Sequence, residues 1–259
     1  MRLDKYLQEN GFYSSREKSQ IAIKKGLVLV DKKVVTKPSF EVTGGEIEIK
    51  EELLKYVSFG GNKLEHAITF FHLDFNGKTV LDIGASTGGF SDCALQNGAE
   101  KVVAIEVGKG QLHESLKNNP KLFYYEETNI LDFITDEKFD YLVCDVSFVS
   151  ITKIVASFKR YMTDKSEAVI LIKPQFEAGK MFLKNGVVKD PKLHETILKD
   201  VISFLRNCGY QIDGLTYSKQ IGKMGNIEYL AILSLGNDEK EYNFKELVHS
   251  AFDFKKSMN

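Results

Sequence analysis

Val80-Leu81-Asp82-Ile83-Gly84-Ala85-Ser86-Thr87-Gly88-Gly89-Phe90 decides the fold of this chain of 259 residues. An apolar run ends in an acid, turns through small residues and enters a segment with helical spacing. Glycine at such a turn lets the backbone approach a ligand or a neighbouring element closely. The spacing is not the G-x-G-x-x-G of a dinucleotide site, and no G-K-[ST] follows to make a phosphate loop. Downstream, Val102-Val103-Ala104-Ile105-Glu106 puts a second acid at the end of the next strand, where an acceptor for a ribose diol belongs. A cofactor with a ribose but no pyrophosphate meets both features, which makes S-adenosylmethionine the candidate. Asp82 and the turn Gly84-Ala85-Ser86-Thr87-Gly88-Gly89-Phe90 would lie near its methionine part, and Glu106 on its ribose. A purely structural strand-to-helix turn competes with that assignment for the glycines.

From Gly60 onward, apolar runs alternate with segments of helical spacing. Strands are expected near 78–83, 101–106, 122–126, 139–145, 167–173, 210–216 and 227–235. Helices are expected over 62–73, 88–97, 110–118, 148–160 and 191–207, with a last one near Phe244–Phe254. This is the α/β pattern of a mostly parallel sheet covered on both faces. Four charged residues stand out against it. Lys63 follows Gly60-Gly61, Asp145 ends Tyr141-Leu142-Val143-Cys144, and Lys173 ends Ala168-Val169-Ile170-Leu171-Ile172. Glu228 interrupts the stretch Gly225-Asn226-Ile227-Glu228-Tyr229-Leu230. A charge at the carboxyl end of a buried parallel strand projects into the crevice where open α/β sheets bind ligands. Two lysines and two carboxylates converging there could handle a proton and an alcohol oxygen. Taken singly, a charge at a strand end is more often a plain solvated boundary than a catalytic group.

Residues 1–50 form a separate pattern of two short helices followed by strands. Leu3, Tyr6 and Leu7 share a helical face, Ser14-Ser15 supply a cap for a second helix, and Gly26 is placed to end it. Leu27-Val28-Leu29-Val30, the turn Asp31-Lys32-Lys33 and Val34-Val35 suggest a hairpin, with a later strand over Glu46–Lys50. The segment carries ten Lys/Arg against seven Asp/Glu. Arg2, Arg16, Lys18, Lys24 and Lys25 are either an edge for phosphate contacts or an ordinary solvated helix face.

A net charge of −1 and 43% hydrophobic residues are ordinary for a globular chain. Cys93, Cys144 and Cys208 are far apart and odd in number, so neither a disulfide framework nor a zinc site is expected. The five histidines show no metal-ligand spacing either. Met1-Arg2-Leu3-Asp4-Lys5 lacks the apolar core of a signal peptide, and no run reaches the roughly 20 apolar residues of a membrane span. A cytoplasmic location is expected, with no metal and no membrane partner.

The front segment resembles the αL RNA-binding motif of pseudouridine synthases and a small-subunit ribosomal protein. Arg2-Leu3-Asp4, Ser15-Arg16, Lys25-Gly26-Leu27-Val28-Leu29-Val30 and the Lys-rich turn after it carry the likeness. The chain as a whole resembles the TlyA-type, hemolysin A-like family of ribosomal RNA 2′-O-methyltransferases, whose catalytic domain is of the FtsJ type. Beyond the glycine turn, the matching stretches are Tyr56-Val57-Ser58 with Gly60-Gly61 and Lys63-Leu64, Val107-Gly108 with Gly110-Gln111-Leu112, and Asp145-Val146-Ser147-Phe148-Val149-Ser150. They continue with Lys173-Pro174-Gln175-Phe176-Glu177, Gly186-Val187-Val188 with Asp190-Pro191, and Gly225-Asn226-Ile227-Glu228-Tyr229.

That resemblance implies a Rossmann-like S-adenosylmethionine-dependent methyltransferase sheet behind a small α+β RNA-binding domain. The expected plan is 1–50 for RNA, 51–59 as linker, 60–237 for catalysis and 238–259 as tail. It also implies a K-D-K-E catalytic tetrad of Lys63, Asp145, Lys173 and Glu228, acting on cytidine in ribosomal RNA of the large subunit, and possibly the small one, within subunits or ribosomes. In the expected mechanism Lys173 is nearest the substrate hydroxyl, Asp145 and Glu228 hold its ammonium, and Lys63 opposes it by like-charge repulsion. Three positions depart from the family pattern. Phe59 stands where arginine is usual, Glu106 replaces aspartate, and Thr128-Asn129-Ile130-Leu131-Asp132 lacks an arginine after Asn129, the residue assigned to the adenine side. The rival functions are an inactive ribosome-assembly protein that binds RNA, and a membrane-lytic hemolysin.

Overall fold

A computed structural model of the protein describes all residues except 14, 50–54, 238–239 and 259, and leaves out the side chains of Lys180 and Lys223. Ser14 of the expected helix cap, Lys50 of the expected strand, residues 51–54 of the expected linker and Asp238-Glu239 of the expected tail therefore lie outside the described residues. The chain forms two compact units, Met1–Lys55 and Tyr56–Asn259.

The first unit contains helices α1 (Leu3–Glu9) and α2 (Arg16–Lys24) and strands β1 (Val28–Val30), β2 (Lys33–Val34) and β3 (Ile47–Ile49). The strands lie antiparallel in the order β2-β1-β3. Ser15 caps α2 by accepting from the Lys18 amide at 3.3 Å. Asp31 and Lys32 both take left-handed backbone conformations, the geometry whose twist suits a two-residue hairpin turn. Leu3, Leu7, Ala22, Ile23, Val28, Val30 and Val42 form the buried core.

The second unit runs α3 (Gly60–Phe71), β4 (Thr79–Ile83), α4 (Gly89–Gln96), β5 (Lys101–Ile105), β6 (Leu122–Tyr125), β7 (Tyr141–Cys144) and β8 (Glu167–Ile172). It continues with α5 (Pro174–Glu177), α6 (Pro191–Asn207), β9 (Tyr210–Tyr217), β10 (Tyr229–Leu235) and α7 (Phe244–Ser257). One seven-stranded sheet has the order β6-β5-β4-β7-β8-β10-β9. Strands β4 to β8 are parallel, while β10 runs antiparallel between β8 and β9. Alternate residues of β4 go to opposite faces. Val80 joins Leu64, Ala67, Phe90 and Cys93 from α3 and α4, whereas Leu81 and Ile83 join Leu198, Val201 and Leu205 from α6. Burial on both faces is why these strands read as unbroken apolar runs. The direction of winding reverses at β4 and β7, and the crevice outside their carboxyl ends is the usual ligand position in such sheets.

Two expected helices are replaced by shorter structure. Over 110–118 only Glu114–Leu116 winds, as one 3-10 turn between Gly110 and Pro120. Over 148–160 the chain forms two 3-10 segments, Ile151–Lys153 and Val155–Tyr161. The β-branched residues Val149, Ile151, Thr152, Ile154 and Val155 disfavour an α-helix there. The terminal helix α7 buries Val248 and Ala251 in the same cluster as α6.

Candidate active site

The crevice edge gathers Lys63, Asp145, Lys173 and Glu228 from four elements. Lys63 lies in the first turn of α3, which begins at Gly60-Gly61, and the Tyr56 ring fills the space a side chain at Gly61 would need. Asp145 and Lys173 directly follow β7 and β8. Glu228 directly precedes β10, whose Tyr229 is in register with Ile172 of β8. Because β10 is antiparallel, its starting end coincides with the finishing end of β8, and a residue before one strand meets residues after the others.

The four charges form a connected ion-pair network. Lys63 Nζ is 2.7 Å from Glu228 Oε2 and 3.2 Å from Asp145 Oδ2. Asp145 Oδ1 takes Lys173 Nζ as its partner, and the same ammonium donates to Ser147 Oγ at 3.1 Å. Gln175 Nε2 donates to Glu228 Oε1 at 2.9 Å. Lys63, Lys173 and Glu228 are buried. The arrangement differs from expectation in one respect: Glu228 holds Lys63 rather than Lys173, and Asp145 alone joins the two lysines. Burial opposes the Lys63 ammonium, yet Asp145 and Glu228 outweigh it and raise the lysine above its ordinary pKa. Burial likewise favours the neutral form of Asp145, and the two lysines hold it below the usual carboxylate value.

Around the glycine turn, the acids and glycines play distinct parts. Glu106 is buried and accepts from the Ser86 amide at 2.9 Å, the Gly108 amide at 2.8 Å and Gln111 Nε2 at 3.3 Å. Gln111 in turn accepts from Ser86 Oγ at 3.0 Å. Asp82 is completely buried; Ser91 Oγ donates to its Oδ2 at 2.6 Å, while Oδ1 has no hydrogen-bond partner among the described residues. Burial pushes its pKa up to about 7. Gly84 has a φ of +79°, and a side chain there would press on Val146. Gly88, at φ +93°, lies beneath Leu112 and Leu116, and Gly89 faces the backbone of Gly60 and Gly61. These glycines thus serve the packing of loops and helices. Ala85 and Phe90 are buried, whereas Ser86 is exposed and Thr87 partly so. Asn129 is exposed, and its Oδ1 closes a local turn by accepting from the Leu131 amide at 3.0 Å.

In the first unit, Arg2, Arg16, Lys18, Lys24 and Lys25 are all exposed. Two of them share an anchor. Arg2 Nε and Nη2 donate to Asp4, each at 3.0 Å, as does Arg16 Nε at 3.0 Å, and Gln20 Nε2 adds a bond of 2.7 Å. Asp4 itself is fully buried, and Arg2 foremost holds its carboxyl well below the usual carboxylate range. Asp4 therefore presents two guanidiniums with their directions set.

Residues 56–235 match the FtsJ-like methyltransferase family, and residues 1–47 match the S4 domain. The chain belongs to the FtsJ-like methyltransferase family. It carries an S4 domain in front of the family's fold, and its methyl donor is S-adenosylmethionine. Hemolysin A of Brachyspira hyodysenteriae is 41% identical over 237 residues, covering 89% of this chain and 98% of that one. The 16S/23S rRNA (cytidine-2′-O)-methyltransferase TlyA of Mycobacterium tuberculosis is 33% identical over 258 residues, covering 96% of both. The solved structure of a hemolysin-like protein from Streptococcus thermophilus superposes with a TM-score of 0.81 at 34% identity, covering 100% of this chain and 98% of that one. Among the described residues no helix is long and apolar enough to cross a membrane, and no group of three or more His, Cys, Asp or Glu is placed to hold a metal.

Three polar residues of the FtsJ-like site were not singled out from sequence: Ser147, Gln175 and Gln111. Each stands within five residues of a charged site residue, and that proximity inside a family motif is the signal that could have found them.

Proposed function

We propose that this enzyme transfers a methyl group from S-adenosylmethionine to the ribose 2′-hydroxyl of a cytidine in ribosomal RNA, on subunits or ribosomes in the cytoplasm. The observation that carries this is the buried network of Lys63, Asp145, Lys173 and Glu228 at the crevice edge, beside an acid-bearing glycine turn. The M. tuberculosis relative, a 16S/23S rRNA (cytidine-2′-O)-methyltransferase, supports the substrate.

The chain's own groups fit the donor. Glu106 offers a carboxylate aimed at the turn for ribose hydroxyls, Asp82 an unpartnered buried oxygen beneath it, and Ser86 and Thr87 accessible polar groups. Gly84, Ala85, Gly88, Gly89 and Phe90 shape that wall, and Asn129 and Asp145 border it. Bound S-adenosylmethionine supplies an electrophilic methyl group on a sulfonium centre. Lys173 directs the substrate oxygen, since an alcohol oxygen, that of Ser147, already lies 3.1 Å from its ammonium. Asp145 fixes Lys173 in place, and the hydroxyl proton leaves toward that pair. Lys63 and Glu228 fix Asp145 in turn. The S4 domain, through Arg2, Arg16, Lys18, Lys24 and Lys25, holds the RNA backbone without reading its sequence. In this proposal residues 1–50 serve RNA binding, 51–59 link, 60–237 catalyse and 238–259 form a tail.

The test is transfer of a labelled methyl group to purified small and large ribosomal subunits by the wild type and by Lys173→Ala. Label in RNA that falls by at least about 100-fold in the variant, with cofactor binding retained, is the expected result. Full turnover by Lys173→Ala would refute the catalytic assignment. No label from the wild type on either subunit would favour a protein that binds RNA without modifying it.

A further inference from the structure

Gln175 is nine-tenths buried, and only one end of its amide is used. Nε2 donates to Glu228 Oε1 at 2.9 Å, while Oε1 has no hydrogen-bond partner among the described residues. An amide so placed loses the hydration of its carbonyl and regains nothing for it. A methionine of similar length would fill the same space without that loss, so the fold alone does not call for glutamine here. The bond to Glu228 does call for a donor. Glu228 has two oxygens and two partners: Oε2 faces Lys63 at 2.7 Å and Oε1 faces Gln175. Gln175 thus ends a chain that runs through Glu228, Lys63 and Asp145 to Lys173.

We infer that Gln175 is a positioning residue for methyl transfer, kept to lock the Glu228 carboxylate so that Lys63, Asp145 and Lys173 stay in register with the substrate oxygen. This rests on the proposed activity. The role is assigned through Glu228, the one side chain the Gln175 amide is bonded to among the described residues. A carboxylate released at one oxygen can rotate, and Lys63 would then be shared differently between Glu228 and Asp145. The loss should fall on turnover rather than on binding.

The experiment compares wild type, Gln175→Met and Gln175→Glu in methyl transfer to ribosomal RNA, with KM for S-adenosylmethionine, KM for RNA and the melting temperature measured alongside. Gln175→Met removes the donor and the unpaired carbonyl together. Gln175→Glu keeps the shape and sets a second carboxylate against Glu228. Expected are a kcat at least tenfold lower in both and both KM values within about twofold of wild type, with a lower melting temperature for the methionine variant because it leaves Glu228 Oε1 without its donor. A kcat within twofold of wild type in either variant overturns the inference. So does a fall in kcat matched by an equal or larger rise in either KM, because that marks a general loosening of the site rather than positioning of the reacting groups. Wild-type protein that transfers no methyl group would instead sink the functional proposal, and this inference with it.

Discussion

Lys63→Met tests the network most directly, because Lys63 touches both carboxylates. In the wild type its ammonium lies 2.7 Å from Glu228 and 3.2 Å from Asp145, with only 10% of the side chain exposed. Removing one partner of a buried pair leaves an uncompensated charge and typically costs about 3–5 kcal/mol. For a domain of this size, each kcal/mol moves the melting temperature by about 2–4 °C, so a fall of roughly 6–20 °C is expected at neutral pH. The sign of the pH dependence follows from the raised pKa of Lys63. Its contribution is complete below the ordinary value of 10.5 and is lost as pH rises through the higher folded-state value. Thermal unfolding followed by circular dichroism would compare Lys63→Met, Glu228→Gln and the double variant. The double variant lacks the orphan, so it should be more stable than Lys63→Met alone, a coupling between neighbours that additivity does not allow. A single-variant loss under about 1 kcal/mol, or a double variant no better than the single, would refute the argument.

Two further substitutions probe buried acids outside the tetrad. Asp82 is pushed up to about 7 from an ordinary 3.8, so the folded protein keeps a proton the unfolded chain releases, and stability falls as pH rises between those values. Asp82→Asn should remove that slope, worth up to about 4 kcal/mol, and unfolding titrations at pH 5 and pH 8 showing the same slope in both proteins would contradict it. Asp4 has its pKa lowered, so its contribution is present above the ordinary carboxylate value and is lost as pH falls through the folded one. Asp4→Asn should melt earlier than wild type at pH 7, with the difference closing at strongly acid pH, and should weaken RNA binding by releasing Arg2 and Arg16. Unchanged affinity across a salt titration would show that the guanidinium directions do not matter.

The seven-stranded layout was legible because burial on both faces writes each strand as a continuous apolar run, and the helices α3, α4, α6 and α7 as periodic ones. Where the sequence misled, the periodicity was real but the local energetics were not those of an α-helix. Ile151, Ile154, Val155 and Phe158 are spaced at three and four and are all buried, yet β-branching and the Ser150 cap give 3-10 turns in their place. The glycine turn was legible as a turn. Its glycines are open to two readings, room for a ligand or for a neighbouring element, and Gly88 and Gly89 admit Leu112, Leu116 and the backbone of α3. A glycine pattern says that something comes close, not what it is.

The tetrad shows the same limit at the level of pairing. Each member was visible from one-dimensional cues, a charge at the end of an apolar run or after a glycine pair, and resemblance tied the four together. Which lysine takes which carboxylate depends on the order of strands and the start of α3, and neither is written near the residues concerned. Glu228 lies beside Lys173 in strand register, since Tyr229 pairs with Ile172. Its carboxylate nevertheless goes to Lys63, and Gln175, two residues past Lys173, holds its other oxygen. Lys173 is therefore held by one carboxylate, that of Asp145, and its next contact is an alcohol, Ser147 Oγ. Had Glu228 closed on Lys173 as expected, that ammonium would have had two anionic partners and one fewer donor for a substrate oxygen. By drawing Glu228 away, Lys63 and Gln175 leave Lys173 a donor to spare, as the proposed orienting of a substrate hydroxyl requires.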